Sequence, residues 1–397
     1  MAEVRKVATR RETRPRVAEK VRTLPPSGIR AFFELVIGRD DVISLGVGEP
    51  DFVTPWHIRE TALYRISQGD TTYTSNSGLL STRAAIARYL HERFKATFDP
   101  EDEMLLTVGV SEGLDLVLRA ILEPGDEVII WQPSYVAYAP LVTLAGGVPV
   151  ALNTSIEAGF GLDLNALENL ITDRTRAVFI NYPSNPTGAT LRREDLEGLV
   201  RICVPRQILM ISDEVYAELT HDGDHVSLAA IPGAAEWTVL LSGFSKAFAM
   251  TGWRLGYAAG PREVIAAMTK IHQYSIMCAP IMAQRAGEAA LTEGLDDMRE
   301  MCAIYRQRRN MIVKGLNEIG LPCHRPAGAF YAFPSIRHTG LDSETFCRKL
   351  LEEESVAIVP GNAFGEAGEG YVRMAYAASF QTIERALAGL ERFLKRL

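Results

Sequence analysis

A lysine in an unusual setting is the first residue of this sequence that could do chemistry. Lys246 follows the apolar run Thr238–Ser242 and is flanked by small and aromatic residues in Ser242-Gly243-Phe244-Ser245-Lys246. A free lysine has a pKa of about 10.4 and is a poor nucleophile at neutral pH, but desolvation or conversion to a Schiff base removes that obstacle. Arg254 follows eight residues later. Two cations alone are more often solvated surface charges. Other residues must therefore show whether these two belong to a functional site.

Further polar and aromatic residues follow other apolar runs of the chain. They are Tyr135 after 127–131, Asn185 after 176–181, and Asp213 and Tyr216 after 207–212. In parallel sheets the ligand sits beyond the carboxyl ends of the strands, so residues that follow such runs are expected to meet in one place. A carboxylate, an amide and an aromatic ring therefore join the lysine as candidates.

A possible anion site lies in the segment Thr107–Gly113. Gly109, then Ser111 near an N-cap, then a helix that runs to Leu122 would present backbone N–H groups and the positive end of the helix dipole. Glu112 argues against this interpretation, because its charge repels an anion.

The pattern of secondary-structure elements that must position these residues predicts an α/β fold. Apolar runs rich in Val and Ile alternate with helical patterns between about 100 and 260, which is typical of a mostly parallel sheet flanked by helices. The runs are 127–131, 147–152, 176–181, 207–212, 238–242 and 256–259. The tail predicts one long helix over 284–319, then an alternating run 329–333, a helix 343–354, strands 356–359 and 370–376, and a last helix 381–397. This tail is expected to form a smaller α+β domain.

Composition restricts the function classes. The chain has 397 residues, 47% hydrophobic, and a net charge of −7, which disfavours a nucleic-acid binder. No stretch approaches the apolar length of a membrane helix.

The five cysteines include no CxxC, so we expect neither a disulfide framework nor a zinc ribbon. Reduced thiols in a cytoplasm are the simplest account of them. His221 and His225, with Gly223 between them, are expected in a solvated loop, and no metal site is predicted.

The first 22 residues differ from the rest, because they carry eight basic and three acidic side chains. We interpret residues 1–25 as a basic, flexible arm that is solvated or lies on a partner subunit. A secretory signal is excluded by the missing apolar region, and the glutamates argue against a transit peptide.

The candidates together describe a holder for pyridoxal 5′-phosphate (PLP). That cofactor needs a lysine for its aldehyde, a carboxylate for its ring nitrogen, hydrogen bonds for its ring hydroxyl, and an anion site for its phosphate. Lys246, Asp213, Asn185 and the segment that opens at Gly109 offer these groups.

From about Pro26 to the end, the sequence resembles the class I/II aminotransferases of PLP fold type I, in the branch with the prokaryotic aspartate and aromatic aminotransferases. The matching motifs are Ser44-Leu45-Gly46-Val47-Gly48-Glu49-Pro50-Asp51-Phe52, Asn185-Pro186-Thr187-Gly188, Asp213-Glu214-Val215-Tyr216, Ser245 to Gly256, and Arg373-Met374-Ala375-Tyr376. The resemblance implies a large PLP-binding domain over 57–290 and a small domain built from 26–56 and 291–397. Two departures are Leu80-Ser81-Thr82-Arg83, near an expected interface, and Gly243, where some relatives have a phosphate-binding serine.

The resemblance also implies a role for each matching residue. The catalytic residues are Lys246, which forms the Schiff base and shuttles a proton, Asp213, which pairs with the pyridine nitrogen, and Tyr216, which binds the ring oxygen. Asn185 binds the same ring oxygen as a cofactor-binding residue. Around the cofactor, Tyr135 stacks on the ring, and Val110, Ser111, Ser245 and Arg254 hold the phosphate. Around the substrate, Gly48 lets the backbone approach it, Tyr135 and Asn185 also border it, and Arg373 takes its carboxylate in a bidentate fork. Tyr73 reaches the phosphate of the neighbouring subunit in a homodimer.

The implied function is a cytoplasmic, ping-pong aminotransferase that moves an amino group from an L-amino acid, such as aspartate or an aromatic one, to a 2-oxo acid such as 2-oxoglutarate. A PLP-dependent lyase of the same fold remains open, because the orientation of the Cα bonds sets the reaction. A non-catalytic regulator with an aminotransferase-like domain is the third possibility. The implied partners are small molecules and a second copy of the chain, with neither nucleic acid nor membrane.

Overall fold

The computed structural model describes residues 16–25, 28, 38–39 and 41–397. The helices in this part of the chain are α1 (Glu19–Arg22), α2 (Trp56–Ser67), α3 (Leu80–Phe94), α4 (Val110–Ile121), α5 (Tyr138–Leu144), α6 (Leu164–Leu170), α7 (Arg193–Cys203), α8 (Arg262–Ser275), α9 (Ile281–Glu293), α10 (Leu295–Glu318), α11 (Ser343–Glu354) and α12 (Phe380–Leu394). The strands are β1 (Ile43–Ser44), β2 (Met104–Val108), β3 (Glu127–Gln132), β4 (Val148–Asn153), β5 (Thr175–Asn181), β6 (Leu209–Asp213), β7 (Thr238–Gly243), β8 (Leu255–Ala259), β9 (Tyr331–Ala332), β10 (Val356–Ala357), β11 (Val359–Pro360) and β12 (Val372–Ala375).

A seven-stranded sheet forms the centre of the larger part, in the order β2-β8-β7-β6-β5-β3-β4. Only β8 runs antiparallel to its neighbours, β2 and β7. Every residue of β6 and β8 is buried, as expected for strands covered on both faces. The predicted α/β architecture with a mostly parallel sheet is confirmed.

The register of the sheet determines which residues meet at its edge. Asn181 at the end of β5 pairs with Asp213 at the end of β6. On one face, buried residues of α4 and α8, such as Leu114 and Met268, form a single core cluster with the strands. Because the carboxyl ends of β5 and β6 are level, the loops that follow them are held side by side above a packed core.

A smaller unit is built from the tail and a short segment near the start. β11, β12 and β9 form an antiparallel sheet, and β1 pairs in parallel with β10. The second pairing fixes Ile43 beside Val356, so residues 43–44 belong with the tail. The predicted domain bounds, 57–290 for the large domain and 26–56 with 291–397 for the small one, stay predictions.

Residues 26–27, 29–37 and 40 lie outside the described part, as do residues 1–15 of the predicted arm. In the rest of that arm, Lys20 Nζ donates a hydrogen bond to Leu144 O at 2.8 Å.

Three sequence-based expectations about these elements were wrong. The long helix expected over 284–319 is two helices that meet at Gly294, where a side chain would press on the Ala290 carbonyl. The strand expected over 356–359 is two strands in two different sheets. β2 was not expected at all, because its sequence Met-Leu-Leu-Thr-Val is rich in residues that favour helices.

No helix in the described ranges is long and apolar enough to cross a bilayer. Those same residues contain no group of three or more His, Cys, Asp and Glu side chains arranged to hold a metal ion.

Candidate active site

The candidate active site is a cavity of about 340 Å³ at the carboxyl edge of the sheet. Eleven of the twelve predicted site residues line it, namely Gly48, Val110, Ser111, Tyr135, Asn185, Asp213, Tyr216, Ser245, Lys246, Arg254 and Arg373. Tyr73 is the exception, because its side chain is 78% exposed on the surface. One cavity thus brings together residues from position 48 to position 373.

Lys246 extends into this cavity from the loop between β7 and β8. Its Nζ donates a hydrogen bond to Gly48 O at 2.7 Å. The rings of Tyr216 and Phe330 lie about 6 Å from the amine. Burial is the main cause that lowers the pKa of Lys246 to about 8, and the positive charges of Arg373 and Arg254 add to it. A larger fraction of the amine is therefore neutral near pH 7 than for an exposed lysine.

Asp213 is a buried carboxylate at the last position of β6. Its Oδ2 accepts a hydrogen bond from Tyr138 Oη at 2.8 Å, and its Oδ1 accepts one from Val215 N at 3.1 Å. Burial raises the pKa of Asp213 to about 6, and these two hydrogen bonds oppose the rise. The carboxylate is thus held at a fixed place and is still ionised above pH 6.

The predicted anion site lies where β2 leads into α4. The helix begins at Val110, directly after Gly109, whose φ is +73°. A side chain on Gly109 would overlap the guanidinium of Arg254, and one on Gly256 would come within 2.6 Å of Val110 N. The glycines therefore allow Arg254 to lie beside the free N–H groups of the helix start, which is a favourable place for a phosphate.

Arg373 is the second buried cation of the cavity, and it is carried by β12. Its Nη1 donates to Asn185 Oδ1 at 3.1 Å and its Nη2 to Gly46 O at 2.6 Å. Its guanidinium lies 4.7 Å from the ring centre of Tyr331. Its Nε is buried and finds no hydrogen-bond partner within the described ranges of the chain. Because burial of a cation is costly and lowers the pKa of Arg373, this side of the cavity favours an anionic ligand.

Asn185 is oriented by the neighbours that it contacts. Its Oδ1 accepts a hydrogen bond from Arg373, a side chain that can only donate. This contact identifies the other amide atom as Nδ2, which carries two N–H donors. Its backbone N donates to Asn181 Oδ1 at 2.9 Å. The side chain can therefore offer a donor to a ligand in the cavity.

Two tyrosines of the cavity were missed by the sequence analysis. Tyr138 binds Asp213, and Tyr331 Oη lies 2.8 Å from Tyr216 Oη in a hydrogen bond. Tyr138 comes three residues after Tyr135, and the sequence analysis assigned it no role. Tyr331 belongs to the alternating run 329–333, which predicted a strand and no function.

The expectation of a solvated loop at His221 and His225 was wrong. Both side chains are buried. His221 Nε2 is 2.7 Å from Ala329 O, and His225 Nε2 is 2.8 Å from Glu214 Oε2. Burial lowers the pKa of His221 to about 4, so this ring is neutral at physiological pH. The loop is covered because residues 327–329 of the smaller unit lie on it, which no local pattern indicates.

Comparison with known proteins decides the family. The family model for "Aminotransferase class I and II" matches residues 40–390. The chain belongs to this family. It is 50% identical over 380 residues to "Putative aminotransferase YugH" of Bacillus subtilis, covering 96% of this chain and 98% of that protein. The sequence-based resemblance is confirmed, and the protein is an aminotransferase.

Solved structures of aminotransferases share the fold. The aromatic aminotransferase from Pyrococcus horikoshii OT3 matches with a TM-score of 0.89 and 45% identity, covering 93% of this chain and 99% of that one. The aspartate aminotransferase from Thermus thermophilus with maleate matches with a TM-score of 0.91 and 38% identity, covering 95% and 99%. Both comparisons extend over nearly the whole length of each chain.

We expect Asp213 to lower the stability of the ligand-free aminotransferase in a pH-dependent way. Its pKa is about 6 in the folded protein against an ordinary 3.8, so above pH 6 the ionised form costs folding free energy. Asp213→Asn should raise the free energy of unfolding by about 2–3 kcal/mol at pH 8, and the gain should shrink towards zero as the pH falls through 6 to 4. Urea unfolding at pH 8, 6 and 4.5 measures this. A loss of stability at pH 8 would contradict it.

Proposed function

We propose that this aminotransferase uses PLP to move the amino group of an L-amino acid to a 2-oxo acid such as 2-oxoglutarate, in two ping-pong half-reactions. The observation that carries the proposal is the convergence of Lys246, Asp213 and the helix start at Val110 on one cavity. An amine of lowered pKa, a buried carboxylate and an anion site are three of the four groups that this cofactor requires.

The residues present fit PLP group by group. The helix start at Val110 and Ser111, with Ser245 and Arg254, would hold the phosphate, and the space kept by Gly109 and Gly256 is needed for this. When bound, PLP acts as an electron sink for a substrate attached to it, provided that its ring nitrogen keeps a proton. Asp213, ionised above pH 6, would hold that proton. Tyr135 would pack on the ring face.

Three residues would act on the cofactor and on the moving proton. Lys246 would supply the amine for the aldehyde and, once free, would move a proton at the substrate α-carbon. Its pKa of about 8 lies close to the operating pH, where a general base works best. Tyr216 and Asn185 would donate hydrogen bonds to the ring oxygen. Tyr331 would hold the Tyr216 hydroxyl in place through their 2.8 Å contact.

Arg373 would bind the α-carboxylate of the substrate, close to the backbone of Gly48. In the described part of the chain no Asp or Glu forms a salt bridge with this buried guanidinium. A carboxylate would provide the missing charge in a bidentate geometry that lysine cannot reproduce.

The side chain of the substrate is best matched by an aromatic group. The cations among the described lining residues are Lys246, Arg254 and Arg373, and each already has a role. The rest of the lining includes the ring of Tyr331 and that of Tyr135, which is also expected to border the substrate. An aromatic donor would contact these rings, whereas aspartate would need a further cation for its side chain. Relatives of this chain include both aromatic and aspartate aminotransferases by name.

We propose further that the enzyme is a cytoplasmic homodimer and that Tyr73 reaches the phosphate of the partner's site. Large apolar side chains are exposed on α2 and on two nearby segments: Trp56, Leu63, Tyr64, Ile66, Tyr73, Tyr274, Ile276 and Met277. Asn76 Nδ2 donates to Met277 O at 2.8 Å, so the Tyr73 loop and the end of α8 form one surface. A group of exposed large apolar side chains of this kind is typical of an interface. The five cysteines are free, which suits a reducing compartment.

The cofactor and the first half-reaction can be tested by absorbance. The purified enzyme should show the absorbance band of lysine-bound PLP. An aromatic amino acid added without a 2-oxo acid should convert that band to the pyridoxamine band faster than aspartate does.

Lys246→Ala should abolish turnover, because both the attachment point and the base are lost. A cofactor band that persists while pyruvate or ammonia appears would indicate a lyase instead. Absence of any cofactor band would contradict the proposal.

Replacement of Arg373 tests the carboxylate site. Arg373→Lys should raise KM for the amino acid by about 10- to 100-fold, because a lysine cannot provide the two parallel hydrogen bonds of the fork. Steady-state kinetics with the best amino donor measures this KM. As a control, the cofactor absorbance band of the variant should match that of the parent enzyme. A KM close to normal would remove Arg373 from this role.

The dimer can be tested with two substitutions of equal exposure. Ile66 on α2 and Val148 on the edge strand β4 are 45% and 46% exposed. Ile66→Asp should split the dimer in sedimentation experiments and weaken PLP binding, because Tyr73 of the other subunit is lost. Val148→Asp should leave both unchanged. A parent protein that is monomeric and fully active would overturn the proposal.

A further inference from the structure

We propose that His272 is a positioning residue that keeps the carboxylate of Glu112 away from the phosphate site at the start of α4. The inference rests on the proposed function, because the anion at this site is taken to be the phosphate of PLP. His272 itself does not line the cavity.

Glu112 is the third residue of α4, one residue after Ser111. An acidic side chain in the first turn of a helix is attracted by the free N–H groups there and can cap them. Those groups, at Val110 and Ser111, are the ones that the phosphate would use. Without a restraint, Glu112 would compete with the phosphate both for the donors and through its charge.

Both carboxylate oxygens of Glu112 are held outside the cavity. Oε2 accepts a hydrogen bond from Val108 N at 2.5 Å, and Oε1 accepts one from His272 Nδ1 at 2.7 Å. The side chain of Glu112 is 11% exposed and does not line the cavity. The structure thus resolves the conflict that the sequence presented at this site.

The position of His272 is fixed by the end of α8. Its side chain is fully buried, and its carbonyl oxygen accepts hydrogen bonds from Ile276 N and Met277 N at 2.9 and 3.0 Å. Its Nε2 has no hydrogen-bond partner among the described residues. The polar contact of this ring is therefore the one with Glu112, and removal of the ring nitrogen affects Glu112 first.

The test compares the cofactor affinity of three single variants and one double variant, each prepared with PLP and then stripped of it. His272→Leu removes the donor, and His272→Asn keeps a donor close to the position of Nδ1. Glu112→Gln removes the competing charge, alone and together with His272→Leu. The probes are PLP, pyridoxal, which lacks the phosphate, and inorganic phosphate, whose binding is followed by the shift in Tm. These readouts do not depend on turnover.

His272→Leu should weaken binding of PLP and of inorganic phosphate by about five- to tenfold, the size expected for one charge at a helix start. Pyridoxal affinity should not change. His272→Asn should retain most of the affinity, and Glu112→Gln in the His272→Leu background should restore it. These results together would support the positioning role.

Equal losses for PLP and pyridoxal, with no rescue by Glu112→Gln, would show that His272 only supports the packing of α8 on α4, and would overturn the inference. Unchanged PLP affinity in a folded His272→Leu variant would overturn it as well. If the parent protein binds inorganic phosphate but shows no PLP band, the proposed function fails and this inference fails with it.

Discussion

The close approach of β8 to the start of α4 is the contact on which the site depends. Gly243 and Gly256 face each other across β7 and β8, and neither has room for a side chain. The loop between these strands carries Lys246 near one end and Arg254 near the other. A side chain on Gly256 would come within 2.6 Å of Gly109 C and Val110 N, so its absence lets β8 lie against the start of α4. The amine and the guanidinium line the same cavity as that helix start.

The described lining of the cavity carries more positive than negative charge. Lys246, Arg254 and Arg373 line it, and Asp213 is the carboxylate that lines it with them. Burial lowers the pKa of Lys246 and Arg373 and raises that of Asp213. The charged form of each group is therefore less stable in the cavity than in water. Such strain is typical of sites in which a ligand supplies the missing charge. Part of the stability of the protein is therefore expected to come from what it binds.

The sequence predicts most of this arrangement and fails in a consistent way. Asp213 and Asn185 could be placed because each follows an apolar run, and the carboxyl ends of parallel strands meet at one edge. Tyr138 and Tyr331 could not be assigned, because their contacts join residues 75 and 115 positions apart. The burial of His221 likewise depends on a segment more than 100 positions further along the chain. Local patterns identify elements and their ends, whereas these contacts are determined by packing between distant segments.

The short stretch Gly46–Gly48 contacts two of the cavity's cations at once. The carbonyl oxygen of Gly46 accepts a hydrogen bond from Arg373, and that of Gly48 accepts one from Lys246. A ligand that takes the place of either carbonyl oxygen leaves this stretch with one contact fewer to the two cations, so a second ligand would displace it more easily. The two binding events are therefore linked thermodynamically, and linkage of this kind is reciprocal. Cofactor loading and carboxylate recognition are expected to strengthen each other in either order, even though no helix or strand needs to move.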